Sequence, residues 1–332
     1  MRALAIRRYK GPMELIELPR PEPGPGDLLV RVRAASVNPL DFKIRDGAVK
    51  LLLPYSFPLI LGNDLAGDVI AVGAGVTRFQ VGDAIYSRLD KDRIGAIAEY
   101  ALVHEHAAAR MPASLDYVQA ASLPLVGLTG WQALIEIAQL RAGQKVLIQA
   151  GSGGVGTFAI QLAKHLGAEV ATTASASNHA LVKSLGADVA IDYKTTRFED
   201  VARDQDVVFD TQGGETLLRS FAAVKPGGVV VTVGGMPDGK LARAWGLALP
   251  LVWLLELLHH KIDRAARSKG ARSEYLFMRA SGEQLEKIGA LVDQGAIKPI
   301  VDEVFPLSAA AEAIAYVESG RTVGKVVIRV AD

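Results

Sequence analysis

The first 120 residues alternate apolar and polar positions over short segments. Residues 27–37 (DLLVRVRAASV) and 64–73 (DLAGDVIAVG) show this pattern, and turns rich in Pro and Gly, such as PRPEPGPGD, separate the segments. Alternation with a period of two is typical of β-strands that bury one face. We therefore predict an irregular β domain for residues 1–120.

Residues 121–264 follow a different pattern, in which apolar runs of strand length alternate with helical segments such as 155–166 (VGTFAIQLAKHL). The apolar runs predicted as central strands are KVLIQA, EVATTA, DVAIDY, DVVFDT and VVVTVG. Strands that alternate with helices predict βαβ units and a parallel sheet. The predicted fold class is α/β, with a doubly wound Rossmann domain in the middle of the chain.

The last segment, residues 265–332, predicts a helix, a strand, a second helix and a final strand that pack back on the first domain. The chain of 332 residues is longer than the roughly 250 to 300 residues at which a single core stops growing. We therefore expect two domains. Residues 1–120 and 265–332 form the β domain, and residues 121–264 form the Rossmann domain.

Composition excludes several classes of function. The 37 Lys and Arg residues balance 36 acidic residues, and the net charge of +1 predicts no binding to nucleic acid. The absence of cysteine excludes a disulfide scaffold, a thiolate metal site and a cysteine nucleophile. The N-terminus has no signal-peptide pattern, so we expect a cytoplasmic protein.

The most apolar run, residues 247–258 (LALPLVWLLELL), contains Pro250 and Glu256. It is shorter than the ~20 residues that a membrane-spanning helix needs, so we expect no transmembrane segment. We interpret the run as a helix buried in a domain or subunit interface. An exposed helix of this composition would instead indicate a partner or lipid surface.

A glycine-rich motif joins the strand KVLIQA to the following helix. Glycines let the backbone turn tightly and approach a pyrophosphate, while the helix N-terminus favours an anion. A G-x-G-x-x-G pattern between a strand and a helix predicts a dinucleotide site. The residues of the motif are Gly151, Ser152, Gly153, Gly154, Val155 and Gly156.

The residues after the second strand of this domain bear on the choice between NAD and NADP. A site for NAD usually has Asp or Glu there, whereas residues 172–178 (TTASASN) contain no carboxylate. The side chains of Ser175, Ser177 and Asn178 are candidates to bind a 2′-phosphate, so NADP(H) is favoured. Candidates for a countercharge elsewhere in the domain are Lys183, Lys194 and Arg203.

Three segments of the chain resemble the medium-chain dehydrogenase/reductase superfamily: GNDLAGDVIAVGAGVTRFQVGD, GSGGVGTFAIQLAKHLGAEV and SLGADVAIDY. The similarity covers nearly the whole chain and is greatest to the zinc-independent quinone oxidoreductases and alkenal/enone reductases. The resemblance implies a GroES-like β domain, made from both chain ends, and a central Rossmann domain. It also implies a homodimer.

Zinc-binding members of this superfamily carry ligands that the chain lacks. They have a cysteine where residues 36–38 (Ser-Val-Asn) lie, and Gly-His-Glu where this chain has Gly62, Asn63 and Asp64. Catalytic zinc generally needs three protein ligands, so Asp64 alone cannot hold it. We therefore expect no metal site.

The loop that contains Asn38 and Lys43 corresponds to the loop beside the nicotinamide in this family. Asn38 and Lys43 are the leading candidates for catalytic residues. Lys43 replaces a tyrosine of some members and could donate a proton to the substrate oxygen. The alternative is that Lys43 is a surface lysine, or that it pairs with Asp41 or Asp46. Asp64 is a minor candidate, to orient Lys43 or a water, or only to bind the loop.

Five further positions are candidates for the cofactor site. The resemblance places Thr129 near the nicotinamide ring and Tyr193 near the NADP phosphate or adenosine. Gly234 follows a strand, at the end where open α/β sheets bind ligands. Phe277 and Lys325 are candidates in the C-terminal part of the chain. For each position, the alternative role is packing or a turn.

The lack of metal ligands affects the expected reaction. Hydride addition to a quinone or to the C=C bond of an α,β-unsaturated carbonyl gives a delocalised anion, which needs less stabilisation than the alkoxide of a simple ketone. We therefore expect an NADPH-dependent, zinc-independent oxidoreductase that acts on a quinone, enone or enal. Two alternatives stay open: an NADP-dependent carbonyl or alcohol oxidoreductase, and a non-catalytic NADPH-binding sensor or interaction protein.

Overall fold

The computed structural model describes residues 1–235 and 237–331 and divides the chain into two compact units. Unit 1 consists of Met1–Leu128 and Arg279–Asp332, and unit 2 consists of Thr129–Met278. Both chain ends therefore contribute to one unit, while a continuous middle segment forms the other.

The described residues form sixteen strands and eleven α-helices. The strands are β1 (Arg2–Ile6), β2 (Glu14–Glu17), β3 (Asp27–Val37), β4 (Leu59–Ile60), β5 (Asp64–Val72), β6 (Ala84–Arg88), β7 (Tyr100–His104), β8 (Ala108–Arg110), β9 (Lys145–Ile148), β10 (Glu169–Ala174), β11 (Val189–Asp192), β12 (Gln205–Asp210), β13 (Val224–Thr232), β14 (Arg272–Tyr275), β15 (Val301–Pro306) and β16 (Lys325–Arg329). The helices are α1 (Pro39–Arg45), α2 (Tyr117–Ala121), α3 (Pro124–Trp131), α4 (Gly154–His165), α5 (His179–Ser184), α6 (Phe198–Val201), α7 (Gly214–Ala223), α8 (Gly239–Ala244), α9 (Leu249–Lys269), α10 (Gly282–Asp293) and α11 (Ala310–Glu318).

The strands of unit 1 form two sheets. A three-stranded sheet has the order β2-β1-β4, and a seven-stranded sheet has the order β15-β16-β3-β5-β6-β8, with β7 also paired to β3. The long strand β3 contributes side chains such as Leu28 and Val30 to the core. Because β5 and β16 both pair with the end of β3, Asp64 lies opposite Ser36 and Val326 lies opposite Val37. Residues distant in sequence therefore meet at this end of β3.

The strands of unit 2 form one parallel sheet of six strands in the order β11-β10-β9-β12-β13-β14. Its central strands are buried, with Leu147, Val208 and Val230 fully inaccessible to solvent, as expected where helices cover both faces. The chain adds β10 and β11 on one side of β9 and β12 to β14 on the other. This reversal of direction beside β9 is where doubly wound sheets bind ligands.

The unit boundaries lie later than the predicted positions after residues 120 and 264. Residues 121–128, which include the start of α3, belong to unit 1. At the second boundary, α9 continues to Lys269 and β14 pairs with β13 as the sixth strand. The sequence of β14, RSEY, is polar because the strand lies at the edge of the sheet. It therefore lacks the apolar run by which the central strands were predicted.

The apolar segment 247–258 is largely helical, as predicted, and only one side of the helix is buried within its own unit. Its burial in a domain or subunit interface stays a prediction. Helix α9 buries Val252 and Leu255, whereas Trp253 is 63% exposed and Leu257 is 72% exposed. Apolar residues occupy both faces of this helix, and only one face packs on the unit. Among the described residues, every helix falls short of the length or apolar character that crossing a membrane requires.

Candidate functional site

The glycine-rich motif forms a tight turn between β9 and α4. A Cβ atom on Gly151 would lie 2.0 Å from Thr172 Oγ1, and one on Gly156 would lie 2.3 Å from the carbonyl oxygen of Ala150. A Cβ on Gly153 would meet only that same oxygen, at 3.4 Å. Two glycines are therefore required by packing, whereas Gly153 leaves the backbone accessible to a ligand.

The N-terminus of α4 offers unpaired donors beside this turn. Gly153 is the N-cap residue and provides no side-chain cap, so the backbone N–H groups of Gly154, Val155 and Gly156 have no acceptor within the helix. Helix α4 has twelve residues, and its dipole favours an anion at this end. The turn can therefore hold a pyrophosphate, in agreement with the predicted role of the motif.

A buried side chain supports the fit of a ligand at this edge of the sheet. Gln149, the residue after β9, is 2% exposed, and its Oε1 accepts a hydrogen bond of 2.8 Å from Thr173 Oγ1. Its Nε2 has no acceptor among the described residues. A buried donor without an acceptor is costly, and a polar ligand group at this edge would pair it. The sequence analysis did not select Gln149.

The turn after β10 carries the predicted phosphate-binding side chains. Asn178 Nδ2 donates to Ser152 Oγ at 3.2 Å, and Ser175 Oγ lies 3.1 Å from Ser177 Oγ. The backbone N–H of Ala150 donates to Thr173 Oγ1 at 2.9 Å. These contacts bring the serine turn, residues 175–178, against the glycine turn.

Tyr193 and Lys194 lie at the same edge of the sheet. They follow β11, whose last residue Asp192 is paired with Ala174 at the end of β10. Both side chains are exposed, Tyr193 by 60%. Of the three proposed countercharges, Lys194 is therefore the one placed near the serine turn.

The other two countercharge candidates lie elsewhere. Lys183 is in the last turn of α5, which runs away from this edge. Arg203 comes just before β12, at the opposite edge, and contacts Asp200. The topology of the sheet therefore does not bring either residue to the serine turn.

Gly234 forms part of a close contact between the loops after β12 and β13. A Cβ on Gly234 would lie 2.4 Å from the backbone nitrogen of Gly213. Asp210, at the end of β12, is fully buried and accepts hydrogen bonds from Thr232 Oγ1 at 2.7 Å and from the N–H of Gly213 at 2.9 Å. Burial raises the pKa of Asp210. The sequence analysis did not select Asp210, although an aspartate near the end of the apolar run DVVFDT is a signal that could have identified it.

Thr129 and Phe277 are less directly connected to this site. Thr129 lies in α3 and is 4% exposed. Phe277 follows β14 and packs edge-on against Trp245, with ring centroids 4.6 Å apart. Because β14 is three strands from β9, its end lies about 14 Å from the glycine turn. Contact of Thr129 and Phe277 with the cofactor stays a prediction.

Unit 1 contains a buried polar cluster at the end of β3, made by Ser36, Asn38, Asp64 and Lys325. Asp64 Oδ2 accepts hydrogen bonds from Ser36 Oγ at 3.0 Å and from Asn38 Nδ2 at 2.9 Å. Lys325 Nζ donates to Asn38 Oδ1 at 2.5 Å and lies 3.8 Å from Asp64 Oδ2. The structure thus brings together the predicted residues Asn38 and Asp64.

Lys325 lies within this buried cluster. The sequence suggested Lys325 for the cofactor site, and its contact with the cofactor stays a prediction. The residue is 5% exposed, and its ammonium group also donates to the carbonyl oxygen of Val37 at 2.8 Å. Burial lowers the pKa of Lys325, although Asp64 opposes this effect, and burial raises the pKa of Asp64. Lys325 therefore holds the loop after β3 and compensates the charge of Asp64.

Asp41 is a second buried carboxyl group near this loop. Its Oδ2 accepts the backbone N–H of Asn38 at 2.7 Å at the N-terminus of α1, and its Oδ1 accepts Asn63 Nδ2 at 2.7 Å. Burial raises the pKa of Asp41 to about 6. Asn63 Oδ1 and Arg88 Nε are buried without hydrogen-bond partners among the described residues.

Lys43 lies apart from these buried groups. It is on α1, its side chain is exposed, and its ammonium group has no hydrogen bond or ion pair with the described residues. Asp41 accepts hydrogen bonds from two amide groups, and Asp46 forms an ion pair with Arg45 at 2.7 Å. Neither aspartate pairs with Lys43, so of the two alternative roles only that of a surface lysine agrees with the structure. The structure does not connect Lys43 to Asp64 either.

Comparison with known proteins identifies the family. The sequence families Alcohol dehydrogenase GroES-like domain and Zinc-binding dehydrogenase match residues 24–113 and 185–328. The mitochondrial NAD(P)H oxidoreductase RTN4IP1 of Danio rerio is 34% identical over 92% of this chain and 84% of its own. The chain belongs to the medium-chain dehydrogenase/reductase superfamily.

Further similar proteins indicate the branch of the superfamily to which the chain belongs. The chloroplastic NADPH-dependent alkenal/one oxidoreductase of Arabidopsis thaliana is 34% identical over 93% of this chain and 73% of its own. The structure of the quinone oxidoreductase from Coxiella burnetii aligns with a TM-score of 0.85 and 32% identity over 99% of each chain. The predicted branch and the predicted fold, a GroES-like domain with a Rossmann domain, are confirmed. This medium-chain reductase is an oxidoreductase that uses a nicotinamide cofactor.

The residues of this medium-chain reductase do not fit a catalytic zinc ion. Asn38 and Asn63 stand in the two segments where zinc-binding members carry Cys and His, and the Lys325 ammonium group contacts Asn38 Oδ1. Asp64 already has a cation nearby, since Lys325 Nζ lies 3.8 Å from its Oδ2. Within residues 1–235 and 237–331, no group of three His, Cys, Asp or Glu side chains has the arrangement of a metal site.

Substitution of two glycines should separate packing from ligand access. Gly156→Ala places a methyl group against the Ala150 carbonyl, so we expect a loss of about 1–3 kcal/mol in the free energy of unfolding together with weaker cofactor binding. Gly153→Ala should weaken only cofactor binding. Urea unfolding and fluorescence titration with NADPH measure the two effects. Equal cofactor affinity in Gly153→Ala and the unsubstituted protein would contradict a pyrophosphate at this turn.

The raised pKa of Asp41 predicts a pH dependence of stability. Because the pKa rises from 3.8 to about 6 on folding, the stabilising contribution of protonated Asp41 is complete below pH 3.8 and is lost as the pH rises to about 6. The free energy of unfolding of the unsubstituted protein, relative to Asp41→Asn, should fall by roughly 3 kcal/mol over this range. Urea unfolding of both proteins from pH 4 to pH 7 checks this, and parallel curves would refute it.

Proposed function

We propose that the protein is an NADPH-dependent reductase of quinones or of the C=C bond of α,β-unsaturated carbonyl compounds. The observation that carries this proposal is the buried cluster of Asn38, Asp64 and Lys325, in which amide, carboxylate and ammonium groups bind one another. Asn38 and Asp64 belong to the two segments in which zinc-binding members carry their ligands. Substrates that form a delocalised anion need less stabilisation than simple ketones, so they suit a site of this kind. The names of the relatives, an alkenal/one oxidoreductase and a quinone oxidoreductase, support the same substrates.

Bound NADPH would supply the hydride, and the protein residues would position the reactants and supply a proton. Asn38 uses Oδ1 and one Nδ2 hydrogen in the cluster, so we infer that Asn38 and Asp64 position the loop rather than transfer a proton. Lys43 is exposed and unpaired among the described residues, so it is the candidate donor to the substrate oxygen. We keep these roles as proposals.

The serine turn supports a proposed preference for NADPH over NADH. Ser175, Ser177 and Asn178 present neutral hydrogen-bonding groups next to Ser152 of the glycine turn. Lys194 follows β11 at the same edge and can neutralise a 2′-phosphate. No carboxylate in residues 172–178 opposes that phosphate.

The substrate class is tested by following NADPH oxidation with a 1,4-quinone, an enone, an enal and the saturated ketone that matches the enone. We expect rapid oxidation with the first three and little with the ketone. Preference for the saturated ketone would replace this proposal by a carbonyl reductase. Binding of NADPH without turnover of any compound would favour the sensor function.

The same assay tests Lys43. Lys43→Met should lower kcat for the enone about 10²-fold or more, since general acid catalysis contributes about 10²–10⁴-fold. Lys50→Met, at another exposed lysine near the same loop, is the matched control. Equal kcat values in the two variants would remove Lys43 from the mechanism.

Cofactor preference is tested at two positions. Ser175→Asp should favour NADH by at least about tenfold in kcat/KM because its carboxylate repels the 2′-phosphate. Lys194→Gln should raise the KM for NADPH about 10- to 100-fold, the effect of one lost charged hydrogen bond, and leave the KM for NADH unchanged. Lys183→Gln serves as the control. An unchanged NADPH preference in both variants would place the 2′-phosphate elsewhere.

The oligomeric state and location stay predictions. We propose a homodimer because β14 is an edge strand, whose unpaired backbone groups can extend the sheet with a second copy. Light scattering that gives a monomer would refute this. Cytoplasmic location rests on the absence of cysteine in the chain, and fractionation of cells that express the protein would test it.

A further inference from the structure

Helix α9 exposes a row of large apolar side chains that nothing in the described chain covers. Five such side chains lie within its first ten residues, and each is about half or more exposed. We name them the α9 apolar face: Leu249, Trp253, Leu254, Leu257 and Leu258. The remaining exposed large hydrophobic residues are spread over many elements. A contiguous patch of this composition indicates a binding surface.

The same side of the helix becomes basic towards its C-terminus. Lys261 and Arg264 follow Leu257 by four and seven residues, which places all three on one side of the helix. These two residues and Arg267, together the α9 basic face, are exposed and have no ion pair among the described residues. Residues 259–269 contain four Lys or Arg residues and one acid, in a chain whose net charge is +1.

The opposite side of α9 is fixed to unit 2. Val252, Leu255 and Ala266 are buried, Glu256 forms an ion pair with Arg243 of α8, and the helix packs on α7 and β14. The exposed side is therefore held in place by the fold. It does not need to become ordered on binding, which lowers the entropic cost of docking.

We propose that the α9 apolar and basic faces dock the protein on an anionic lipid bilayer. Helices that lie in the membrane interface combine Trp and Leu on the side that enters the acyl boundary with Lys and Arg that contact lipid phosphates. An anionic bilayer offers acyl chains to the α9 apolar face and phosphates to the α9 basic face. The helix of 21 residues, about 30 Å long, would lie along the membrane surface.

Charge complementarity favours a bilayer over a second copy of the chain. In a two-fold symmetric contact the same patch faces itself. Asp263 is the one acid that α9 offers among residues 259–269, so three exposed cations would lack acidic partners there. Anionic phosphates provide that complement. The proposal concerns a surface of unit 2 and does not depend on the reductase activity.

Vesicle sedimentation tests the proposal with the full chain. We expect the protein to sediment with vesicles of phosphatidylcholine and phosphatidylglycerol, weakly with phosphatidylcholine alone, and less as salt is raised. Trp253→Ser with Leu257→Ser should abolish binding. Lys261→Gln with Arg264→Gln should lower the partition coefficient roughly fivefold for each cation.

Matched controls keep the result specific. Leu51→Ser removes an exposed leucine of unit 1, 70% exposed, and Lys50→Gln removes a cation near it; both variants should bind like the unsubstituted protein. NADPH binding and thermal melting show that each variant is folded. The proposal is overturned if the protein ignores anionic vesicles or if the α9 variants bind unchanged. Light scattering distinguishes a further outcome. If the α9 variants bind vesicles unchanged but convert a dimer of the protein to a monomer, the α9 apolar face binds a second copy of the chain, and the proposal is overturned.

Discussion

Parallel pairing of all six strands in unit 2 is the constraint on which the cofactor site depends. It brings the carboxyl ends of β9, β10, β11, β12 and β13 to one edge. The glycine turn, the serine turn and Gly234, up to 83 residues apart in the sequence, consequently lie at the same edge of the sheet. Two buried polar side chains at this edge have different roles. Asp210 is satisfied by the loops that it ties together, whereas Gln149 keeps a donor unpaired at the place where the strand order reverses.

Unit 1 obeys another constraint, the need of buried charges for partners. The carboxyl groups of Asp41 and Asp64 and the ammonium group of Lys325 are buried at the end of β3. Each of the three forms a hydrogen bond with Asn38. Asp64 has the cation of Lys325 nearby, while Asp41 is held by neutral donors, and burial raises the pKa of both carboxyl groups. The positive charge in this region comes from Lys325 of the C-terminal strand β16.

Helix periodicity divides neighbouring residues between the interior and the surface in both α1 and α9. On α1, Asp41 turns inward to receive the N–H of Asn38, and Lys43, two residues later, points to solvent. On α9, Leu255 is buried and Leu257 is exposed although both are leucines. Composition therefore says little about burial in either helix. The side of the helix that the rest of the unit covers decides it.

The sequence by itself determined the class of fold, the dinucleotide turn and the lack of metal ligands, because these depend on local periodicity, on glycines at fixed spacing and on residue types. It also predicted that Ser175, Ser177 and Asn178 lie at the ligand-binding edge, since the carboxyl end of the second strand has a fixed role in such sheets. Tertiary structure alone decided that Lys325 joins Asn38, 287 residues earlier in the chain. It alone showed the unpaired Gln149, the polar edge strand β14 and the exposed side of α9. These features depend on which strands pair and which faces are covered, and no local pattern carries that information.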